Sequence, residues 1–181
     1  MSQANTFVAL LRGINVGENH KVPMADLQHL MEGNDYQDVT TILNTGNVVF
    51  KKNETDIKKL EQDLQTILED RFQFPIPVIL RSKEHVQGLI QETCFGDLED
   101  GKKIKLYVSS AKEDLDDTIS LPITSSGDSF SIIKVTKSEI FSILDLSNGK
   151  SVKAMGMLEK YFGKNITTRN LNTLKKIADL L

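Results

Sequence analysis

Arg12, Asn15, Asn19, His20 and Lys21 fall within ten residues of one another, with Gly13 and Gly17 interleaved among them. A guanidinium, an ammonium and two carboxamides packed into "RGINVGENHK" are donors suited to a phosphate or a carboxylate. His20 is the one candidate general base in the stretch. Glu18 works against an anion, because its carboxylate competes for the same donors. A second polar cluster, "NTGN", places Asn44 and Asn47 around Gly46. Each cluster also has a purely architectural reading. Glycines supply positive φ angles in any long loop, and asparagines are ordinary turn residues.

Other chemistries are not supported. The chain has no GxxxxGK[ST] and no GxGxxG, so neither phosphate-cradling glycine motif is present. His20, His29 and His85 lack metal-ligand spacing, and no metal or cofactor is expected. Cys94 is the single cysteine; it can form no internal disulfide and no cysteine metal site. Beside Phe95 it reads as a small buried hydrophobe, in a protein suited to a reducing cytoplasm. No local Ser-His-Asp or Cys-His signature occurs.

The 181 residues fit one domain or two small halves. With 39% hydrophobic and 26% charged residues the composition is that of a globular chain. No apolar run approaches the ~18 residues that cross a bilayer, and the start, MSQANT, has no secretory character. No membrane partner is expected. The net charge of −3 is unevenly spread. Residues 1–100 carry 9 Lys+Arg against 16 Asp+Glu, and residues 101–181 carry 13 against 9. From Gly149 onward the count is 7 against 2. That basic end is either a solvated helical surface or an anion-facing terminus.

These clusters need elements to position them. Phe7 to Arg12 (FVALLR) reads as a central strand, since five apolar residues in succession imply burial on both faces. Pro23 opens a helix at a favoured first position. Met24, Leu27, Leu30 and Met31 form its apolar stripe, and Gly33 and Asn34 stop it. Strands follow at Val39–Leu43 and Val48–Lys51, joined by the Asn44–Asn47 turn. Asp56–Phe72 is a second amphipathic helix, Pro75–Leu80 a fourth strand and Lys83–Gln91 a short helix. The order β-α-β-β-α-β predicts a ferredoxin-like first half with an antiparallel sheet. The acidic, turn-rich stretch Thr93–Lys102 marks a boundary, giving subdomains 1–97 and 98–181. The second, smaller α+β half is expected to hold strands at Lys103–Ser109, Ser129–Val135 and Glu139–Leu144. Its expected helices are Ala111–Asp117, Lys153–Phe162 and Asn170–Leu181, and Ser125–Ser129 is a loop.

Strand order has a consequence for the polar clusters. If the first strand runs upward, the second does too, so the Asn44–Asn47 turn shares an end with the Arg12–Val22 loop. Arg81, at the end of the fourth strand, falls at the opposite end. The helix start adds free N–H groups to the shared end, where a side-chain cap is not supplied by Val22. An anion at a helix N-terminus satisfies them.

The segments LLRGINVG, KVPMADL and LNTGNVVF, with TTRNLNTLKKI far downstream, together resemble the bacterial family called domain of unknown function 1697. The resemblance runs from Phe7 to the C-terminus. It implies a two-part α+β protein with ferredoxin-like character in its first part, and no reaction. The family's positions present here are Arg12, Asn15, Lys21, Asn44, Gly46, Asn47, Thr168, Arg169, Asn170 and Asn172. Two departures stand out. Glu18 follows Gly17 where family members usually have another glycine, and Leu171 follows TTRN where they usually have tryptophan.

Three functions follow. A small anionic ligand would be held by Arg12, Asn15, Lys21, Asn44, Asn47, Arg169 and Asn170, with the TTRN segment closing against the first half through Arg169. Alternatively, weak electrostatic nucleic-acid binding would use Lys150, Lys153, Lys160, Lys164, Arg169, Lys175 and Lys176. Base stacking on the sheet is not expected, because the third strand, NVVFKK, has one aromatic and no RNP1-like run. In the third reading the polar motifs only lock two halves of a non-catalytic interaction protein.

Overall fold

The apolar run after residue 4 forms β1 (Asn5–Leu11). Its alternate side chains are buried on both sides: Phe7, Ala9 and Leu11 on one, Val8 and Leu10 on the other. That double burial is what a five-residue apolar run demands of a central strand. The computed structural model describes residues 4–91, 94–125, 127, 129–147 and 154–181. Among them are nine strands and five helices, a mixed α+β arrangement with antiparallel sheets. None of the described helices is long and apolar enough to cross a membrane.

The chain forms two compact units, one of residues 1–90 with 176–181 and one of residues 91–175. In the first, β1 is followed by α1 (Met24–Glu32), β2 (Gln37–Ile42), β3 (Asn47–Lys52), α2 (Ile57–Phe72), β4 (Val78–Ser82) and α3 (Lys83–Gln91). The sheet order is β2-β3-β1-β4, with antiparallel neighbours throughout. The core lies between sheet and helices. Phe7, Ala9, Leu11, Val48, Phe50, Val78 and Leu80 meet Leu27 and Met31 of α1 and Leu60, Leu64 and Leu68 of α2. Leu60, Leu64 and Leu68 recur every four residues and form one buried stripe of α2. Each such side chain contributes roughly 1.5–3 kcal/mol on burial. Asp56 starts α2 by accepting the Lys59 amide at 3.1 Å.

Register fixes which loops are neighbours. Leu10 faces Asn47 and Leu11 faces Val78, so the end of β1 meets the beginnings of β3 and β4. The Arg12–Val22 loop and the turn before β3 therefore share one end of the sheet, as the strand order predicts. Arg81 faces Val8, further toward the other end.

In the second unit β5 (Ile104–Ala111), β6 (Ile123–Thr124), β7 (Phe130–Val135), β8 (Glu139–Asp145) and β9 (Ile166–Asn170) form an antiparallel sheet in the order β6-β7-β8-β5-β9. Helix α4 (Ala154–Phe162) sets Ala154 and Leu158 into a core with Phe130, Ile132 and Ile140. Helix α5 (Leu171–Ala178) follows β9 directly.

Two local expectations need correction, and one strand was not foreseen. No helix forms over Ala111–Asp117: β5 continues to Ala111 and a turn follows, in which Asp116 accepts the amide and hydroxyl of Thr118 at 3.0 and 2.6 Å. Acidic side chains that bond nearby backbone compete with a helix, and this one does. The ITTRN segment, to which the sequence reading assigns no element before a helix at Asn170, is a strand. Its three β-branched residues in succession carried that signal, and pairing with β5 realised it. Pro23 is the N-cap rather than the first helical residue, with φ −61° and ψ 130°. Thr93, the first residue of the expected boundary stretch Thr93–Lys102, and parts of the Ser125–Ser129 loop lie outside the described residues, as do Lys150 and Lys153.

Candidate functional site

The Arg12–Val22 loop is assembled chiefly by backbone. Leu11 donates its amide to the Gly46 carbonyl at 2.7 Å, and Arg12 donates to Pro77 at 2.9 Å. The loop then turns through positive φ at Gly13 (74°), Asn15 (54°), Gly17 (63°) and His20 (56°). Two of these are not glycine, and asparagine is the side chain that best tolerates such angles. The Asn15 amide donates to the His20 carbonyl at 3.0 Å, closing residues 15–20 into a ring.

Asn15 is the brace of this loop. Its Oδ1 accepts the Val22 amide at 2.9 Å, and its Nδ2 donates to the Val22 and Asn44 carbonyls, both at 2.9 Å. One carboxamide thus ties the loop's end to its beginning and to the β2–β3 turn. Lys21 is exposed and donates Nζ to the Gly17 carbonyl at 2.7 Å. The exposed His20 ring lies flat on Phe74, with centroids 4.4 Å apart. Val22, buried among the core residues, anchors the strand-to-helix connection.

The turn before β3 is equally constrained. Leu43 has φ 57° and Gly46 φ 78°. A Cβ on Gly46 would lie 2.8 Å from Leu11 Cβ and 3.0 Å from Ile14 Cδ1, so only glycine fits. Asn47 is fully buried; its Nδ2 donates to the Ile42 carbonyl and to Thr45 Oγ1, each at 3.0 Å. Its carboxamide holds the turn from beneath.

Where loop, turn and helix meet there is a cavity of about 350 Å³, lined by Asn15, Lys21, Val22, Pro23, Met24 and Asn44. Pro23 makes no side-chain cap; its carbonyl takes the Leu27 amide at 3.0 Å, and the amides of Met24, Ala25 and Asp26 precede the intrahelical ladder. Asp26 lies in that first turn, 3.7 Å from Arg71. Of the seven expected ligand residues, Asn15, Lys21 and Asn44 come together at the cavity. Arg12 heads the loop without lining it, and Asn47 lies buried under the turn. Val22, Pro23 and Met24 complete the lining at the helix start, where the sequence places free N–H groups.

Arg169 and Asn170 have their described bonds inside the second unit. Arg169 Nη1 donates to Thr167 Oγ1 at 2.9 Å and to the Thr168 carbonyl at 3.0 Å. Burial pushes its guanidinium down to about 10. Asn170 caps α5, accepting the Asn172 amide at 3.0 Å, and donates to Asp100 Oδ1 at 2.6 Å. Asn172 Nδ2 donates to Asp100 Oδ2 at 2.8 Å, and the Leu106 amide donates to Asp100 Oδ1 at 2.8 Å. Burial, with the charge of Asp100 second, raises the Tyr107 phenol above its ordinary value. Leu171, where the resemblance would place tryptophan, is buried. Among the described residues no group of three His, Cys, Asp or Glu side chains could hold a metal ion.

Comparison with known proteins agrees with this architecture. A family model described as protein of unknown function (DUF1697) matches residues 4–141. No curated protein matches the chain. Among solved structures, that of the conserved bacterial protein SP0830 from Streptococcus pneumoniae is similar to it over 99% of each chain, with a TM-score of 0.76 and 24% identity. That likeness establishes a shared fold.

Proposed function

We propose that this chain, which belongs to the DUF1697 family, binds a small anionic ligand, bearing a phosphate or a carboxylate, at the start of α1. The observation that carries this reading is the cavity of about 350 Å³ in which Lys21 and an uncapped helix N-terminus meet. Donors of the first turn and the positive end of the helix dipole favour an anion there. Lys21 supplies the mobile charge, exchanging its bond to the Gly17 carbonyl for one to the ligand. Asn44 contributes its side chain at the rim. Asn15 does not contact the ligand through its carboxamide; it fixes the distance between loop and turn. The reading rests on first-unit residues, with Arg169 and Asn170 bracing their own unit. His20, lying flat on Phe74, is not assigned as a base. The strand order β2-β3-β1-β4 supports a ferredoxin-like description of the first unit, and the lone Cys94 suits a cytoplasmic protein.

The test is thermal melting of wild type and Lys21→Ala with and without phosphate, sulfate and nucleotide. Lys21→Ala should melt close to wild type without ligand, because exposed lysine contacts contribute little. A bound anion at 100 times its dissociation constant stabilises wild type by about 2.7 kcal/mol, and the variant should lose most of that. A Lys21→Ala protein that responds to every anion as wild type does would leave the loop as architecture.

A further inference from the structure

The four-stranded sheet has a second face, turned away from the helix-packed core. Phe7, Val48 and Phe50 belong to that core. Thr6, Val49 and Lys51 alternate with them along β1 and β3, so they stand on the opposite face. Thr40 of β2 lies directly across from Val49 and shares its side. A second cavity of about 350 Å³ opens there, at the far end of β1 from the Arg12–Val22 loop. Lys83, the first residue of α3, and Leu180 and Leu181, beyond α5, complete its wall. All of these residues belong to the first unit.

A bulge brings in a carboxylate. Between Gln37, opposite Lys51, and Thr40, opposite Val49, β2 takes three steps where β3 takes two. Without the extra residue, Asp38 would follow the alternation toward the core. Instead it takes a left-handed φ of 50°, and its Oδ2 accepts Lys51 Nζ at 2.7 Å. Bulges re-aim side chains in this way.

The polar groups of the wall come in couples. Lys51 Nζ sits beside the Asp38 carboxylate. Lys83 Nζ donates to the Leu181 carbonyl, which sets a second ammonium beside an acceptor oxygen. The Thr6 and Thr40 hydroxyls each donate and accept through one atom. A bare anion would meet the Asp38 charge along with the lysines, and a cation would meet the lysines along with Asp38. The ligand group that both gives and takes a hydrogen bond through a single atom is a hydroxyl. Its bonds to the ionised members of the couples are the stronger kind. Buried Val49 and exposed Leu180 supply apolar surface for C–H groups. The cavity's volume lies within the range of about 300–1,000 Å³ that suits small organic ligands.

We infer that this cavity binds a small neutral polyol of monosaccharide size. Its hydroxyls bridge the Lys51–Asp38 and Lys83–Leu181 couples, and its C–H face rests on Val49 and Leu180. The site is separate from the anion site at α1 and does not depend on it.

The test is a titration of nitrogen-labelled protein followed by backbone amide shifts. Ribose, glucose and myo-inositol serve as polyols, with inorganic phosphate and glycine as the charged alternatives. The amides of Thr6, Thr40, Lys51 and Lys83 should shift saturably with at least one polyol, while those of Lys21 and Asn44 stay still. Thr40→Val and Lys51→Met change exposed positions and leave the core intact. Each should weaken polyol binding about fivefold, the loss of one hydrogen bond. Lys21→Ala should bind the polyol as wild type does. Saturable shifts at the four amides with phosphate or glycine but with none of the polyols overturn the proposal. So do polyol affinities unchanged in both variants, and so does the absence of any saturable shift at the four amides.

Discussion

Asn15 and Gly46 do the most at the residue scale, and neither does it by touching a ligand. Asn15 satisfies three backbone groups from two segments. Gly46 lets the turn press against Leu11 and Ile14. The glycines of the opening loop differ from it. Gly13 and Gly17 have positive φ but open space where a Cβ would stand. Gly13→Ala and Gly17→Ala should therefore each cost on the order of 1 kcal/mol, the backbone contribution alone. Gly46→Ala adds a clash in packed surroundings and should cost a further ~1–3 kcal/mol. Chemical denaturation of the three variants checks the ranking; Gly46→Ala no worse than the other two would mean that the turn can shift away from Leu11.

At the scale of elements, the TTRN motif joins a strand to a helix. Strand β9 supplies Thr168, whose hydroxyl lies 2.7 Å from Ser109 Oγ on β5. Asn170 and Asn172 then fasten the start of α5 to Asp100. Asp100 also takes the Leu106 amide at the start of β5. Asp100→Asn would turn one of its two acceptor oxygens into a donor that faces donors. It should cost roughly 1–3 kcal/mol. It should also lower the Tyr107 phenol toward its ordinary value, since the Asp100 charge helps to hold it up. The sign is definite. A raised phenol contributes stability that is present below its ordinary value near 10 and is lost as pH rises through the raised value. The wild type should thus lose stability with alkalinity through Tyr107, and Asp100→Asn should show less of that loss. Phenolate absorbance with denaturation at two pH values measures both; an unchanged Tyr107 titration would separate Asp100 from the phenol.

For the whole molecule, the basic C-terminal stretch is the feature that points to a macromolecular partner. Lys175 and Lys176 are exposed on α5, but Arg169 is partly buried and spends Nη1 on its own strand. That leaves fewer cations for phosphates than the sequence count implies. Backbone binding to duplex DNA carries a log–log salt slope of about −0.9 per phosphate contact. Micromolar protein should therefore give no mobility shift of single- or double-stranded probes at about 150 mM salt. Replacing both lysines by alanine should change nothing there. A shift that persists at that salt and flattens in Lys175→Ala/Lys176→Ala would favour nucleic acid over the small anion.

The sequence by itself determined the order of elements in the first unit, the centrality of β1, and the meeting of the Arg12–Val22 loop with the Asn44–Asn47 turn. Apolar periodicity and strand direction are local properties, and together they leave few topologies. It also carried the family, through motifs whose spelling is linear. Only the tertiary structure decided which polar groups stay available to a ligand. Asn15, Lys21, Asn44 and Asn47 look equivalent as letters. Asn15 became a brace because the Asn44 carbonyl came within 2.9 Å, and Asn47 was buried beneath its own turn. Lys21 and Asn44 kept their side chains at an exposed cavity wall. The same reason accounts for β9 and for the missing helix after β5. A five-residue segment has too few internal bonds to fix its own conformation, so the neighbour that pairs with it decides.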